Sequence, residues 1–277
     1  MKTTIIDLHT HAFPDELAER ITKAIVDRYG IPNLYPCTLE GLLGTISKAR
    51  VDSAVIQIFA NSPKNVHRLN DWGAEVTRNY APKLYCFGTV HPDMPDPESE
   101  MERICRLGLR GVKFQPTAQR FYPDDRKLFK IYEKAEKLDL PLLFHAGEER
   151  GPVEVLYTHP KRFVQVLGSF PRLTLILAHM GGYRMWEHVR DLSNYKKAYF
   201  DTSAACIELG SKELLELIDI LGRDRVLFGS DFPWFEYEKA MEAILNLDMP
   251  DEDKEKIMYR TSSKVLKIQA SPKMVIN

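Results

Sequence analysis

Two histidines stand two residues apart near the start of the chain, in the run Asp7-Leu8-His9-Thr10-His11. Because side chains alternate across a β-strand, His9 and His11 would lie on the same side of such a strand. Two imidazoles placed in this way form a ready pair of metal ligands. The alternative for so short a pattern is two surface histidines in a loop. The other residues of the site must therefore distinguish a metal site from this alternative.

Three further titratable residues come directly after apolar runs of strand-like composition: His145, His179 and Asp231. The C-terminal ends of parallel strands form the active-site face of a barrel. Imidazoles together with one carboxylate suit Zn²⁺, which is the first choice here, and also Fe²⁺, Mn²⁺ or Ni²⁺. A catalytic metal keeps one position open for water, and Asp231 and His179 are the candidates to take or relay its proton.

A lysine belongs to the same set, because Lys113 stands inside the short apolar run from Gly111 to Phe114. A lysine in such a strand is costly unless its ammonium group reaches a polar cavity or an anion. The alternative is that its stem packs on the sheet while the charge extends outward into water.

Three residues in the predicted loops are candidates for contact with a substrate. Arg120 and Arg150 follow the fourth and fifth predicted strands, where a guanidinium group could hold a carboxylate with two hydrogen bonds. The alternative is that both are simply exposed loop residues. Trp234 follows Asp231 closely enough to form a wall of the same pocket.

Short apolar runs alternate with amphipathic stretches along the whole chain, which predicts a parallel sheet with crossover helices. The predicted strands are Thr4–Leu8, Ser53–Phe59, Leu84–Val90, Gly111–Phe114, Pro141–Phe144, Leu173–Ala178, Ala198–Asp201 and Arg225–Phe228. Eight such units in 277 residues fit a single (β/α)₈ TIM barrel over residues 1–277, with the site at the C-terminal ends of its strands. An open doubly wound sheet is the alternative, but it would usually show a glycine-rich turn after the first strand.

The composition of the chain limits the kinds of molecule that we expect the protein to bind. The 38 Lys and Arg nearly cancel the 39 Asp and Glu, so a charge-driven nucleic-acid binder is not expected. The sequence shows neither a membrane-length apolar run nor a secretory signal, and its four cysteines lie far apart. We therefore expect a cytoplasmic protein that acts on a small molecule, without nucleic-acid or membrane partners. A homo-oligomer stays open, because apolar residues on outer helices could form a dimer.

Five motifs in order, DLHTHAF, GVKFQP, FHAG, LAHMGG and FGSDFPW, resemble those of the amidohydrolase superfamily. The resemblance runs from residue 7 to residue 234 and is closest to the branch of metal-dependent hydrolases similar to aminocarboxymuconate-semialdehyde decarboxylase. It implies a distorted TIM barrel with one metal ion, or two. The metal ligands that it implies are His9, His11, His145 and Asp231.

The resemblance also gives Asp231 a second role as proton shuttle. It implies that His179 polarises the substrate or binds a second metal ion. Lys113 matches a position that carries a metal-bridging carboxylated lysine in some members of the superfamily.

Two reactions follow from this set, and hydrolysis is the first. In a hydrolase, metal-activated water would attack a small ester, lactone or amide, while Asp231 moves the proton. The alternative is a non-oxidative decarboxylase or hydratase of a small carboxylic acid on the same barrel. A binding or regulatory barrel that keeps the metal for stability is a third hypothesis, and a ligand set with an open coordination position counts against it.

Overall fold

The computed structural model describes residues 4–269, and its eight strands form one parallel sheet in the order of the chain. All eight predicted strands are confirmed. Their bounds are β1 Ile6–Thr10, β2 Ser53–Gln57, β3 Leu84–Thr89, β4 Val112–Phe114, β5 Leu142–Phe144, β6 Leu175–Leu177, β7 Ala198–Asp201 and β8 Val226–Leu227.

The sheet closes on itself, because the segment after β8 pairs with β1. Leu8 donates its backbone N–H to the Phe228 carbonyl at 2.8 Å, and His11 donates to the Phe232 carbonyl at 2.8 Å. Between them, Asp231 donates to the His9 carbonyl at 2.9 Å. The molecule is therefore a TIM barrel and not an open doubly wound sheet.

Helices surround the barrel and alternate with its strands. They are α1 Asp15–Tyr29, α2 Leu39–Lys48, α3 Val66–Tyr80, α4 Pro97–Arg106, α5 Pro116–Gln119, α6 Phe129–Leu138, α7 Pro160–Ser169, α8 Ala205–Glu208, α9 Ser211–Leu221, α10 Tyr237–Leu245, α11 Asp251–Glu255 and α12 Thr261–Leu266. A π-helical turn, Lys256–Arg260, joins the last two. The connection from β6 to β7 contains only 3₁₀ turns, which departs from the regular alternation. Within residues 4–269, no helix combines the length and the apolar character that crossing a membrane requires.

The barrel interior is filled by apolar side chains, and one cluster of them includes Leu8, Val55, Phe87, Leu143, Ile176 and Leu227. Leu266 and Ile268 pack on the same cluster, and Tyr85 near the start of β3 donates its hydroxyl to the Gln269 carbonyl at 3.0 Å. The end of the described chain thus covers the N-terminal end of the barrel. The polar residues of the candidate site lie at the opposite end, where the strands have their C-terminal ends.

Candidate metal centre

Three side chains from the first and last strands converge at the C-terminal end of the barrel. His9 and His11 come from the end of β1 and its following residue, and Asp231 follows β8. The Asp231 Oδ1 atom lies 3.7 Å from His9 Nε2 and 3.5 Å from His11 Nε2. One ligand atom from each residue falls within 4.8 Å of the others, and all three residues are buried. We call this set the metal trio.

Hydrogen bonds on the far side of each ring orient the two histidines. His9 donates from Nδ1 to Asp201 Oδ2 at 2.8 Å, and His11 donates from Nδ1 to the Gln57 carbonyl at 3.2 Å. A neutral imidazole that donates from Nδ1 keeps its lone pair on Nε2, the atom that faces the trio. Such outer partners fix ring orientation in metal sites, so the trio suits a divalent cation.

The pKa shifts of the trio favour the protonation states that bind a cation. Burial alone would raise the pKa of Asp231, but the neighbouring His11 and His9 side chains hold this pKa well below its usual range. Burial lowers the pKa of His11. An ionised carboxylate beside a neutral imidazole is the protonation state that metal binding requires.

His145, which follows β5, stands outside the trio. Its Nε2 atom lies 2.9 Å from the Glu148 carbonyl, which can only accept a hydrogen bond. A neutral His145 therefore has its lone pair on Nδ1, and this atom lies 3.0 Å from His179 Nε2. Its role as a fourth metal ligand stays a prediction, with Nδ1 as the ligand atom.

His179 joins His145 to the trio. Its ring stacks on that of His9 at a centroid distance of 5.5 Å, and its backbone N–H donates to Asp201 Oδ1 at 3.1 Å. Burial and the neighbouring His145 lower the pKa of His179 to about 3. The imidazole is therefore neutral at physiological pH and can orient a ligand by hydrogen bonding.

Lys113 is directed into the barrel cavity and not outward. The residue is 1% exposed, and its Nζ atom lies 3.4 Å from His9 Nε2. Burial lowers the pKa of Lys113 to about 8. Its carboxylation, and with it a second metal ion, stays a prediction.

A second buried carboxylate, that of Asp7, joins β1 to the segment that follows β8. Asp7 accepts hydrogen bonds from the Ser230 N–H at 3.1 Å, the Ser230 hydroxyl at 2.5 Å and the Tyr237 hydroxyl at 2.6 Å. Burial raises the pKa of Asp7 to about 6. Asp231, which follows Ser230 in the chain, has a left-handed backbone with φ of 60°. This conformation costs a non-glycine residue about 1–3 kcal/mol. The Asp7 network fixes this strained position.

The trio opens onto a cavity of about 120 Å³. The residues that line it are His9, His11, Phe13, Ile25, Tyr29, Ile31, Phe59, Lys113, Gln115, His145, Glu149, Arg150, His179, Tyr183, Ala204, Asp231, Trp234 and Phe235. Trp234 and Arg150 are therefore at the cavity, and their contact with a substrate stays a prediction. Arg150 is exposed, and its guanidinium group lies 5.2 Å from the centre of the Phe235 ring. Arg120 is exposed and is not among the lining residues.

Sequence reasoning missed several residues of the site. Asp201 and Ser203 lie behind His9 and His179, and the Ser203 hydroxyl donates to Asp201 Oδ1. Asp201 ends β7 in the same way that His145 follows β5, so the same signal could have found it. Gln115 follows β4 directly and carries the same signal, whereas Glu149 occupies a loop in which no spacing pattern marks it.

The fold and the trio together define a TIM barrel with a candidate metal centre at the C-terminal ends of its strands. Residues 6–268 match the amidohydrolase family, so the chain belongs to that family. By sequence it is similar to the gamma-resorcylate decarboxylase of Polaromonas sp. (strain JS666), with 23% identity over 79% of this chain and 82% of that protein.

Two solved structures share the fold. The 5-carboxyvanillate decarboxylase of Sphingomonas paucimobilis has a TM-score of 0.79 and 16% identity, over 97% of this chain and all of that one. A dihydroxybenzoic acid decarboxylase from Polaromonas sp. JS666, solved with bound manganese and the inhibitor 2-nitroresorcinol, has a TM-score of 0.76 and 18% identity. It covers 96% of this chain and 97% of that one. At these identities the likeness establishes the fold.

Proposed function

We propose that the protein is a metal-dependent, non-oxidative decarboxylase of a small aromatic hydroxy acid. The observation that carries the proposal is the metal trio beside a small cavity with aromatic walls. The named relatives, which act on aromatic carboxylic acids, support decarboxylation over the hydrolysis that the sequence placed first.

The trio would hold one divalent cation. Its two imidazoles and one carboxylate suit Mn²⁺, Fe²⁺ or Zn²⁺. The manganese in the Polaromonas structure favours testing Mn²⁺ first. When bound, the ion would hold the carboxylate and a neighbouring hydroxyl of the acid and withdraw charge from the ring. Among residues 4–269, the trio is the group of His, Cys, Asp or Glu side chains in which three ligand atoms lie close enough to share an ion. The proposal therefore includes one metal ion.

Decarboxylation requires a proton at the ring carbon that carries the carboxylate. The bond from that carbon to the carboxylate then breaks, its electron pair restores the aromatic ring, and CO₂ leaves. Asp231 is suited to carry the proton, because Oδ1 is the atom close to both histidines and Oδ2 is left to accept it. The carboxylate would take the proton from the substrate hydroxyl and deliver it to carbon. The neutral His179 would orient the acid.

The test supplies the Mn²⁺-loaded protein with 2,6-dihydroxybenzoate and 5-carboxyvanillate in D₂O. We expect release of CO₂ from one acid and one deuterium on the ring carbon that held the carboxylate. Asp231→Asn should reduce kcat by roughly 10²- to 10⁴-fold. A parallel panel of esters, lactones and amides tests the alternative. Hydrolysis of any of these without CO₂ release from the acids would overturn the proposal.

A further inference from the structure

A buried carboxylate, that of Glu149, lines the cavity and is not used by the proposed reaction. Its side chain is 6% exposed. Glu149 Oε1 accepts a hydrogen bond from Gln115 Nε2 at 3.1 Å. This amide donor is neutral. The same oxygen lies 3.7 Å from His145 Nε2, which donates instead to the Glu148 carbonyl.

This carboxylate retains unused capacity to accept hydrogen bonds. An ionised carboxylate has about four acceptor positions, and the hydrogen bond from Gln115 fills one of those on Glu149. A buried acceptor without its full set of donors is costly, and a ligand that supplies one more recovers part of that cost. A hydroxyl group on a bound ligand is such a donor, whereas a second anion or an ether oxygen is not.

The loop after β5 holds Glu149 in a fixed position. Glu148 donates its backbone N–H to the Tyr183 carbonyl at 2.9 Å, which ties the loop to the segment after β6. Gly151 packs on the end of α1 so closely that a Cβ atom there would lie 2.7 Å from the Arg28 carbonyl. An acceptor held on rigid backbone can discriminate between ligands, because it cannot move to suit each of them.

We propose that Glu149 determines substrate specificity by accepting a hydrogen bond from a ring hydroxyl remote from the reacting carboxylate. The preferred ligands are then aromatic acids that carry this second hydroxyl group in addition to the one beside the carboxylate. The inference rests on the proposed function for the choice of an aromatic acid. It does not rest on turnover, because hydrogen bonding at Glu149 is a property of binding.

A purely structural role for Glu149 predicts something different. The carboxylate also offsets the buried charge of Lys113. If that were all, Glu149→Gln would alter folding or metal binding but would leave the preference between two neutral ligands unchanged. The difference in affinity between a ligand with the hydroxyl and one without it therefore separates the two roles.

The experiment uses nitrophenols, in which a nitro group replaces the carboxylate and no CO₂ can leave. Calorimetry on the Mn²⁺-loaded protein compares 2-nitrophenol with derivatives that bear one further hydroxyl at each ring position, and with their methoxy counterparts. We expect one hydroxyl derivative to bind on the order of tenfold more tightly than 2-nitrophenol, and its methoxy counterpart to lose that gain. Glu149→Gln should reduce the gain and Glu149→Leu should abolish it. Glu148→Gln, the same change at the exposed neighbouring side chain, should retain it.

Equal affinities across the wild-type series would overturn the inference, as would a gain that persists in Glu149→Leu. Circular dichroism and Mn²⁺ binding check that each variant is folded and loaded with metal. If Glu149→Leu does not fold or does not bind Mn²⁺, the reduced gain in Glu149→Gln tests the inference. Failure of the proposed function looks different. In that case no acid releases CO₂, while the hydroxyl preference and its dependence on Glu149 are still measured.

Discussion

A single carboxylate, Asp201, organises the atoms behind the candidate metal centre. One oxygen accepts from His9 Nδ1, and the other accepts from the His179 N–H and from Ser203. Burial alone would raise the pKa of Asp201, but the nearby His9 and the hydrogen bond that it donates hold this pKa well below its usual range. Asp201 is therefore a positioning residue that sets the orientation of the His9 ring.

Replacing Asp201 by Asn should weaken Mn²⁺ binding by about 10- to 100-fold, because an amide no longer enforces the His9 tautomer with its lone pair on Nε2. Chelator-competition calorimetry measures the affinity. Asp191→Asn makes the same change at an exposed position and should bind Mn²⁺ as the wild type does. Equal affinities for the two variants would contradict the positioning role.

Among single residues, the sequence predicts the candidate metal ligands of the trio better than the residues around them. His9, His11 and Asp231 are marked by their position after apolar strands, and the structure brings them together. Lys113 also reaches the cavity. Glu149 and Gln115 become neighbours only through the conformations of two loops, and Arg120 lies off the cavity for the same reason. Hydrophobic periodicity carries no information about such loops.

Among the elements, β1 and β8 are joined by side chains as well as by backbone hydrogen bonds. The buried Tyr237 at the start of α10 donates to Asp7 Oδ2, so this helix is tied to both strands. The sequence predicts the strands and the main helices, because burial of apolar faces fixes them. It does not predict this cross-link, because no local pattern pairs residue 7 with residue 237.

Tyr237→Phe removes one donor from the buried Asp7 carboxylate while keeping the ring. The free energy of unfolding should fall by about 1–3 kcal/mol, because the buried carboxylate loses one of its hydrogen-bond donors. Urea denaturation of the metal-free protein measures it. Tyr80→Phe removes a hydroxyl from a residue that is 39% exposed and should change little. A loss of the same size in both variants would show that the Asp7 bond is not the cause.

The loops after β5 and β6 meet at Gly147, which has a left-handed φ of 93°. A Cβ atom there would lie 2.1 Å from the Tyr183 backbone nitrogen. Gly147→Ala should therefore push the two loops apart, displace Glu149 and cost about 2 kcal/mol or more. Gly44→Ala, within α2 where a Cβ meets nothing within 4 Å, should instead stabilise the protein by up to about 1 kcal/mol. Thermal denaturation compares the two, and an unchanged melting temperature for Gly147→Ala would contradict the close approach.

Across the whole molecule, the two ends of the barrel differ in composition: one is covered by apolar residues and the other carries the polar site. Apolar residues near the end of the described chain, including Leu266 and Ile268, cover the N-terminal end. The polar residues gather at the C-terminal end, where strained backbone at His179 and Asp231 reduces stability. Metal binding there would join residues from the first and last strands. It should therefore stabilise the closure of the entire barrel and not one local loop.

The melting temperature should accordingly rise with Mn²⁺ concentration. A ligand that binds only the folded state adds about 2.7 kcal/mol at one hundred times its dissociation constant, which corresponds to several degrees for a chain of this size. Differential scanning calorimetry of the chelator-treated protein across a Mn²⁺ series measures the rise. His11→Ala should abolish it, because the trio loses a ligand, whereas His188→Ala alters a partly exposed histidine outside the cavity and should retain it. A rise of equal size in His11→Ala would place the stabilising ion elsewhere and refute the trio as its site.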